Sequence, residues 1–135
     1  YSALFKIPMF GNMIKATKVK CGDGYSAILD SQKRLYTFGK GSYGRLGLGH
    51  NMNVLTPQLV SKTIKFIDIS CGGRHMMGID INGETYAWGH GYYFQLGTMN
   101  QEDSMVPICI NLSRTAGKWA GKISCGYYHS AIQTL

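Results

Sequence analysis

Two Cys-x-x-x-His segments, Cys71 to His75 and Cys125 to His129, are the first candidates for chemistry in this chain of 135 residues. Thiolate and imidazole together suggest zinc. However, four ligands must converge at about 2.0–2.3 Å, and neither spacing belongs to a common structural zinc site. The earlier copy, Cys21 to Tyr25, replaces the His altogether. The run Gly39-Lys40-Gly41-Ser42-Tyr43-Gly44 spells Gly-x-Gly-x-x-Gly behind a strand-like segment. A dinucleotide site needs a helix to begin there, so that its free N–H groups meet the pyrophosphate. Leu46-Gly47-Leu48-Gly49 follows instead and is poor helix material. The second copy, Gly89-His90-Gly91-Tyr92-Tyr93-Phe94, loses the third glycine. Nucleophilic catalysis needs a base beside Ser or Cys, and no Gly-x-Ser-x-Gly accompanies His50, His75, His90 or His129. The expectation is no catalytic, cofactor-binding or metal-binding residue, and no covalent chemistry.

What these fragments share is a period. Cys21-Gly22 returns as Cys71-Gly72 and again as Cys125-Gly126. Asp30 returns as Asp80, Phe38-Gly39 as Trp88-Gly89, Leu46-Gly47 as Leu96-Gly97 and Pro57 as Pro107, each 50 residues on. So many matched types in one register mark an internal duplication. One unit reads as four short strands. Phe66 to Cys71 alternates, His75 to Asp80 follows a turn, and Asn82-Gly83 is a two-residue hairpin signal leading to Glu84–Trp88. A short fourth strand is expected after Pro107. No segment sustains a helical period.

Four strands in about 50 residues indicate an all-β chain built of antiparallel propeller blades. The expected units are residues 1–17, the outer end of a preceding blade with Pro8 in the place of Pro57, then 18–61, 62–120 and 121–135. A single blade cannot bury both faces, so blades stack and close into rings of about 4–8. Fewer than three blades leave open ends. The chain is then expected to associate with itself or to need the rest of its propeller. Phe38 and Trp88 are expected to pack between blades, and the cysteines to be small buried side chains near the ring axis. Trp119 lies in an irregular insertion from Leu112 to Lys122, where a contact anchor and a core residue are equally good readings.

Composition narrows the partners. Lys and Arg number 14 against 7 acidic residues, a net charge of +7. Such a field suits nucleic acid, an acidic protein face or an anionic membrane, yet the basic residues are scattered, which also fits ordinary solubility. Four cysteines without Cys-x-x-Cys, no secretory apolar segment and no stretch long enough to span a membrane suit reduced thiols in the cytosol or nucleus.

The pattern Cys-Gly-x-x-His, Asn-Gly-x-x-Tyr-x-Trp-Gly, Gln-Leu-Gly and Pro resembles the regulator-of-chromosome-condensation repeat from about Lys18 to Leu135. The resemblance implies a ring of about seven blades, of which this chain is a part. Tyr43 to Gly49, Gln95 to Thr98 with Glu102-Asp103, and Cys125 to His129 are similar to the last blades of one branch of that family. That branch serves as the chromatin-bound guanine-nucleotide exchange factor for the Ran GTPase. It implies a Ran-type partner, chromatin contact and a nuclear location. The alternative is a generic protein-binding propeller of a ubiquitin ligase, ciliary or cytoskeletal protein. The resemblance places the turns after Cys-Gly on the partner-facing surface: Asp23, Gly24 and Tyr25, then Arg74 and His75, then Tyr127, Tyr128 and His129. Tyr25 departs from the motif His. Gly73-Arg74 stands where the family's ultraviolet photoreceptor has Trp-Arg, which argues against photoreception.

Overall fold

The computed structural model describes residues 8–9, 12–13, 15–110 and 120–135, with side chains described from residue 15 onward. A short ladder of β1 (Pro8–Met9) and β2 (Asn12–Met13) comes first. The first four-stranded sheet is an antiparallel meander of β3 (Ala16–Cys21), β4 (Tyr25–Asp30), β5 (Leu35–Gly39) and β6 (Val54–Leu59). The second repeats it with β7 (Phe66–Cys71), β8 (His75–Asp80), β9 (Thr85–Gly89) and β10 (Ser104–Ile110). A two-stranded sheet, β11 (Ala120–Cys125) and β12 (Ser130–Thr134), follows. Among the described residues no α-helix occurs, and the one 3-10 turn is Ser42–Gly44. The chain is all-β, a partial propeller of antiparallel blades.

Two strand limits differ from expectation. The third strand of the second sheet runs from Thr85 to Gly89, because Glu84 donates its N–H to the Asp80 carboxylate and so belongs to the turn. The fourth begins at Ser104, ahead of Pro107. It is an outer strand whose register breaks between Ser104 and Ile108, so a residue without an N–H is tolerated there. Pro8 lies in β1, with its side chain outside the described set, and Trp119 lies outside the described residues.

In each four-stranded sheet the turn between the second and third strands is held by one buried carboxylate. Asp30 Oδ1 accepts from the Gln32 and Arg34 N–H groups at 2.9 Å each, and its Oδ2 meets Arg34 Nε at 2.7 Å. Asp80 Oδ1 accepts from Asn82 N at 2.8 Å and Glu84 N at 2.9 Å. The repeated Asp is thus a turn-builder.

Sheets stack face to face because alternate side chains of the second strand point to opposite neighbours. Tyr25, Ala27 and Leu29 of the first sheet form one core with Phe66, Ile69, Met76 and Trp88 of the second. Met77, Ala87, Leu96 and Ile110 form another, against which Ile123 and Ile132 pack. Volume is exchanged between repeats. The Phe66 ring lies against Gly78, whereas the corresponding positions of the last sheet hold Ala120 and Ile132. Trp88 is fully buried, as expected, while its repeat-equivalent Phe38 is half-buried. The indole rests on Gly47 of the preceding sheet, where a Cβ would lie 2.7 Å from Nε1.

Replacing Asp80 by Ala removes the acceptor of two turn N–H groups. It should cost about 2 kcal/mol of stability, read as a lower urea midpoint with an unchanged slope.

Candidate functional site

The Cys-Gly turns of successive sheets lie side by side at one end of the stack. Asp23 N donates to Gly73 O at 3.2 Å, and Gly73 N to Tyr127 O at 3.3 Å. The glycine is required by crowding. A Cβ on Gly22, Gly72 or Gly126 would overlap the ring of Tyr25, His75 or His129 three residues on. All three rings fold back under the glycine, and those of Tyr25 and His75 reach the next sheet. The Tyr25 hydroxyl shares its proton between Gly72 O at 2.9 Å and His75 O at 2.7 Å. His75 Nε2 is 2.8 Å from Ser130 Oγ, which donates its own proton to Gln95 O at 2.7 Å, so Nε2 is the protonated nitrogen. Burial holds the His75 imidazole neutral, with its pKa lowered to about 4.

Of the turn residues expected to meet a partner, Tyr25 and His75 are therefore buried between sheets, with His75 at 0% exposure. Asp23, Tyr127, Tyr128 and His129 are exposed and Arg74 is half-buried. The structure brings the exposed ones together. Tyr127 lies over Gly73 and donates its hydroxyl across the whole stack to Asp23 Oδ2 at 2.8 Å. That bond, helped by Lys40, Arg45 and Arg74, holds the Asp23 carboxyl below the usual range. His129 has the place of His75 and folds under Gly126 in the same way, but it is exposed, with no described sheet beyond it.

A second group of residues completes this end of the molecule. The loops after β5 and β9 rise beside the turns, tied by Lys40 N to Gly24 O at 2.8 Å and His90 N to Arg74 O at 2.9 Å. They carry Tyr43, Tyr92, Tyr93 and Phe94. Arg74 stacks on Tyr43 at 5.2 Å, Tyr43 meets His90 at 4.3 Å, and Tyr93 meets Tyr128 at 4.8 Å. Tyr128 meets Tyr127 at 4.5 Å. Tyr92, Tyr93 and Phe94 are each more than half exposed, at 58%, 53% and 54%. Beneath them Arg45 is buried, donating to Ser42 O and Asp23 O, and this burial lowers its pKa.

Sequence reasoning missed this loop half of the face. The available signal was the run Tyr92-Tyr93-Phe94 in a glycine-rich loop. Phe94 adds another. Its φ is +61° at the position where the preceding repeat has Gly44, φ +75°. An L-residue held there is strained.

The cysteines need correcting. Cys21 and Cys109 are exposed, while Cys71 and Cys125 are half-buried. Cys21, Cys71 and Cys125 lie together on the inner strands, and Cys109 sits on the outer strand β10. Burial pushes the Cys71 thiol up to about 12, so it is inert. Among the described residues no three His, Cys, Asp or Glu side chains converge as metal ligands, and no helix is long and apolar enough to cross a membrane.

The family described as regulator of chromosome condensation (RCC1) repeat matches residues 33–79 and 82–133. The chain belongs to that family. The human E3 ubiquitin-protein ligase HERC2 is 44% identical over 52 residues, 37% of this chain and 1% of HERC2. The RCC2 homolog of Danio rerio is 43% identical over 47 residues, 35% of this chain and 10% of that protein. The chain thus spans a tenth or less of these curated relatives. Among solved structures, Prp20p from Saccharomyces cerevisiae superposes with a TM-score of 0.84 at 20% identity, over 96% of this chain and 33% of Prp20p. Human WBSCR16 does so with a TM-score of 0.81 at 24% identity, over 88% and 30%. These likenesses confirm the RCC1-type blade architecture.

Two outcomes follow from the site. Between pH 6.5 and 4 the unfolded chain binds a proton at His75 that the folded chain refuses, so stability falls as pH is lowered, by up to roughly 3 kcal/mol. His75→Tyr, which restores the residue type of Tyr25, should flatten the urea midpoint between pH 7 and 4.5 relative to the parent. Phe94→Gly should raise the midpoint at pH 7 by about 1 kcal/mol, because the left-handed strain is removed.

Proposed function

We propose that the end of the stack carrying Asp23, Arg74, Tyr127, Tyr128 and His129, with Tyr43, Tyr92, Tyr93 and Phe94 beside them, is a protein-docking face. The observation that carries this is the contiguous exposed aromatic surface around Arg74. Tyr and Arg supply large, stiff contact area and are the side chains on which binding energy concentrates. The work of this face is recognition.

In its sharper form the partner is a Ran-type GTPase whose nucleotide release the face accelerates in a nucleus, with chromatin held elsewhere on the propeller. Support comes from the RCC1-repeat family and from the fold shared with Prp20p, a protein whose binding to Gsp1p and histones is described with its structure. Exchange of this kind is differential binding, in which the factor holds the GTPase better without its nucleotide. A second reading is a protein-binding propeller without exchange activity, favoured by the identity with a segment of a ubiquitin ligase.

Stopped-flow release of a fluorescent nucleotide from Ran separates the two. Acceleration that Tyr93→Ala and Tyr128→Ala each reduce at least tenfold supports exchange, whereas an unchanged rate leaves only the second reading. Chromatin binding driven by the net charge of +7 should weaken steeply between 50 and 200 mM salt, and affinity indifferent to salt would remove it.

A further inference from the structure

Arg74 lies in the middle Cys-Gly turn, and turns of this chain flank it on both sides. Stacking does not require an arginine there. The same turn position holds Gly24 in the first repeat and Tyr128 in the last. The tie to the neighbouring loop uses the main-chain carbonyl of Arg74, which accepts from His90 N at 2.9 Å. The side chain is held by stacking. Its guanidinium carbon lies 5.2 Å from the centre of the Tyr43 ring, and Nη1 reaches Tyr43 Oη only at a long 3.4 Å. Arg45 lies over the same ring at 5.8 Å, and it donates to Ser42 O and Asp23 O.

No acid of the chain answers this charge. All seven acidic side chains lie among the described residues. Their ion pairs with described residues are Lys18 to Asp68 and Arg34 to Asp30, so Arg74, Arg45 and Lys40 have none. Asp23 feels all three of these cations, yet its Oδ2 is taken by the Tyr127 hydroxyl. Asp103, beside the next loop, accepts from Gly91 N at 2.9 Å. In the second repeat the positions of Lys40 and Arg45 hold His90 and Gln95, so the positive excess is particular to this junction.

We propose that Arg74 is an anchor of the docking face for a carboxylate, an Asp or Glu side chain of a protein partner. The proposal rests on the docking reading above and names the chemistry at its centre. A guanidinium fixed by stacking keeps its in-plane N–H groups for a second molecule and loses little freedom on binding. One such fork satisfies a planar carboxylate with two parallel bonds, whereas a phosphate dianion calls for several donors. Arg45, 1% exposed, offers no second fork, and this selects the carboxylate. Tyr43, Tyr127 and Tyr128 stand around Arg74 and shield the pair from water, which strengthens it.

The probes are the peptide acetyl-Leu-Glu-Leu-amide and its glutamine and phosphoserine counterparts, titrated by NMR into the isotope-labelled 135-residue protein. Saturable shifts of the Arg74 Nε–H signal and of the Tyr43 and Tyr127 amides are expected with the glutamate peptide. Affinity for the glutamine peptide should be at least tenfold lower. Arg74→Gln should abolish the amide shifts, and Arg74→Lys should weaken binding at least tenfold, because an ammonium lacks the stacked fork. Both variants should keep the parent's urea midpoint, since the equivalent turns hold glycine and tyrosine. Equal affinity for the glutamine peptide, binding that survives Arg74→Gln, or tighter binding of the phosphoserine peptide would overturn the proposal. So would a dimer that Arg74→Gln dissociates, since the carboxylate would then be the chain's own. Shifts of Tyr93 and Tyr128 that both the glutamate and glutamine peptides cause equally would remove the anchor and leave the docking reading standing. Silence from all three peptides would also remove the anchor, while the docking reading answers to the nucleotide-release measurement.

Discussion

The structure depends on how closely one sheet can approach the next at its inner end. At each Cys-Gly turn a ring three residues downstream folds back under the glycine, and in the two four-stranded sheets it reaches the following sheet. For Tyr25 this contact is a hydroxyl held between two carbonyls of the next repeat. For His75 it is an imidazole bonded to Ser130. A methyl group in place of the glycine hydrogen would occupy the ring's space, so this motif sets the spacing of the whole stack. The side chain that makes the contact varies between tyrosine and histidine, while its geometry is retained.

That constraint takes the turns' most conspicuous residues, Tyr25 and His75, away from the surface. With Tyr25 and His75 consumed in stacking, the surface is left to the residues beside them, Asp23, Arg74, Tyr127 and Tyr128, and to the loops that rise next to them. Tyr127 ties the last described sheet to the first four-stranded sheet through Asp23. The proposed docking face is therefore assembled from three repeats. The strained Phe94 shows local stability given up at this face. At the same loop position the preceding repeat has glycine, and Met105 of the next sheet packs over it.

The stack also behaves as a one-dimensional array, in which each sheet is stabilised by its neighbours. The second sheet, covered on both sides, buries every residue of β8. The last one leaves His129 exposed. The same residue type thus has opposite environments at His75 and His129. Only the sheet between two neighbours acquires a neutral buried imidazole and the acid sensitivity that comes with it.

Much of this was legible in residue order. Repeated Cys-Gly, Asp, aromatic-Gly and Leu-Gly positions implied a duplicated four-stranded unit, because a side-chain period of two and fixed turn chemistry are local properties of the chain. Asn82-Gly83 located a hairpin for the same reason. Burial was not legible, since it depends on what lies across the interface. Nothing in the spacing distinguishes His75 from His129 or Trp88 from Phe38, and Cys21 looked as buried as Cys71. The aromatic face joins Tyr43, Tyr93 and Tyr128, residues far apart in the chain. Their proximity is created by stacking, which the tertiary structure alone decides.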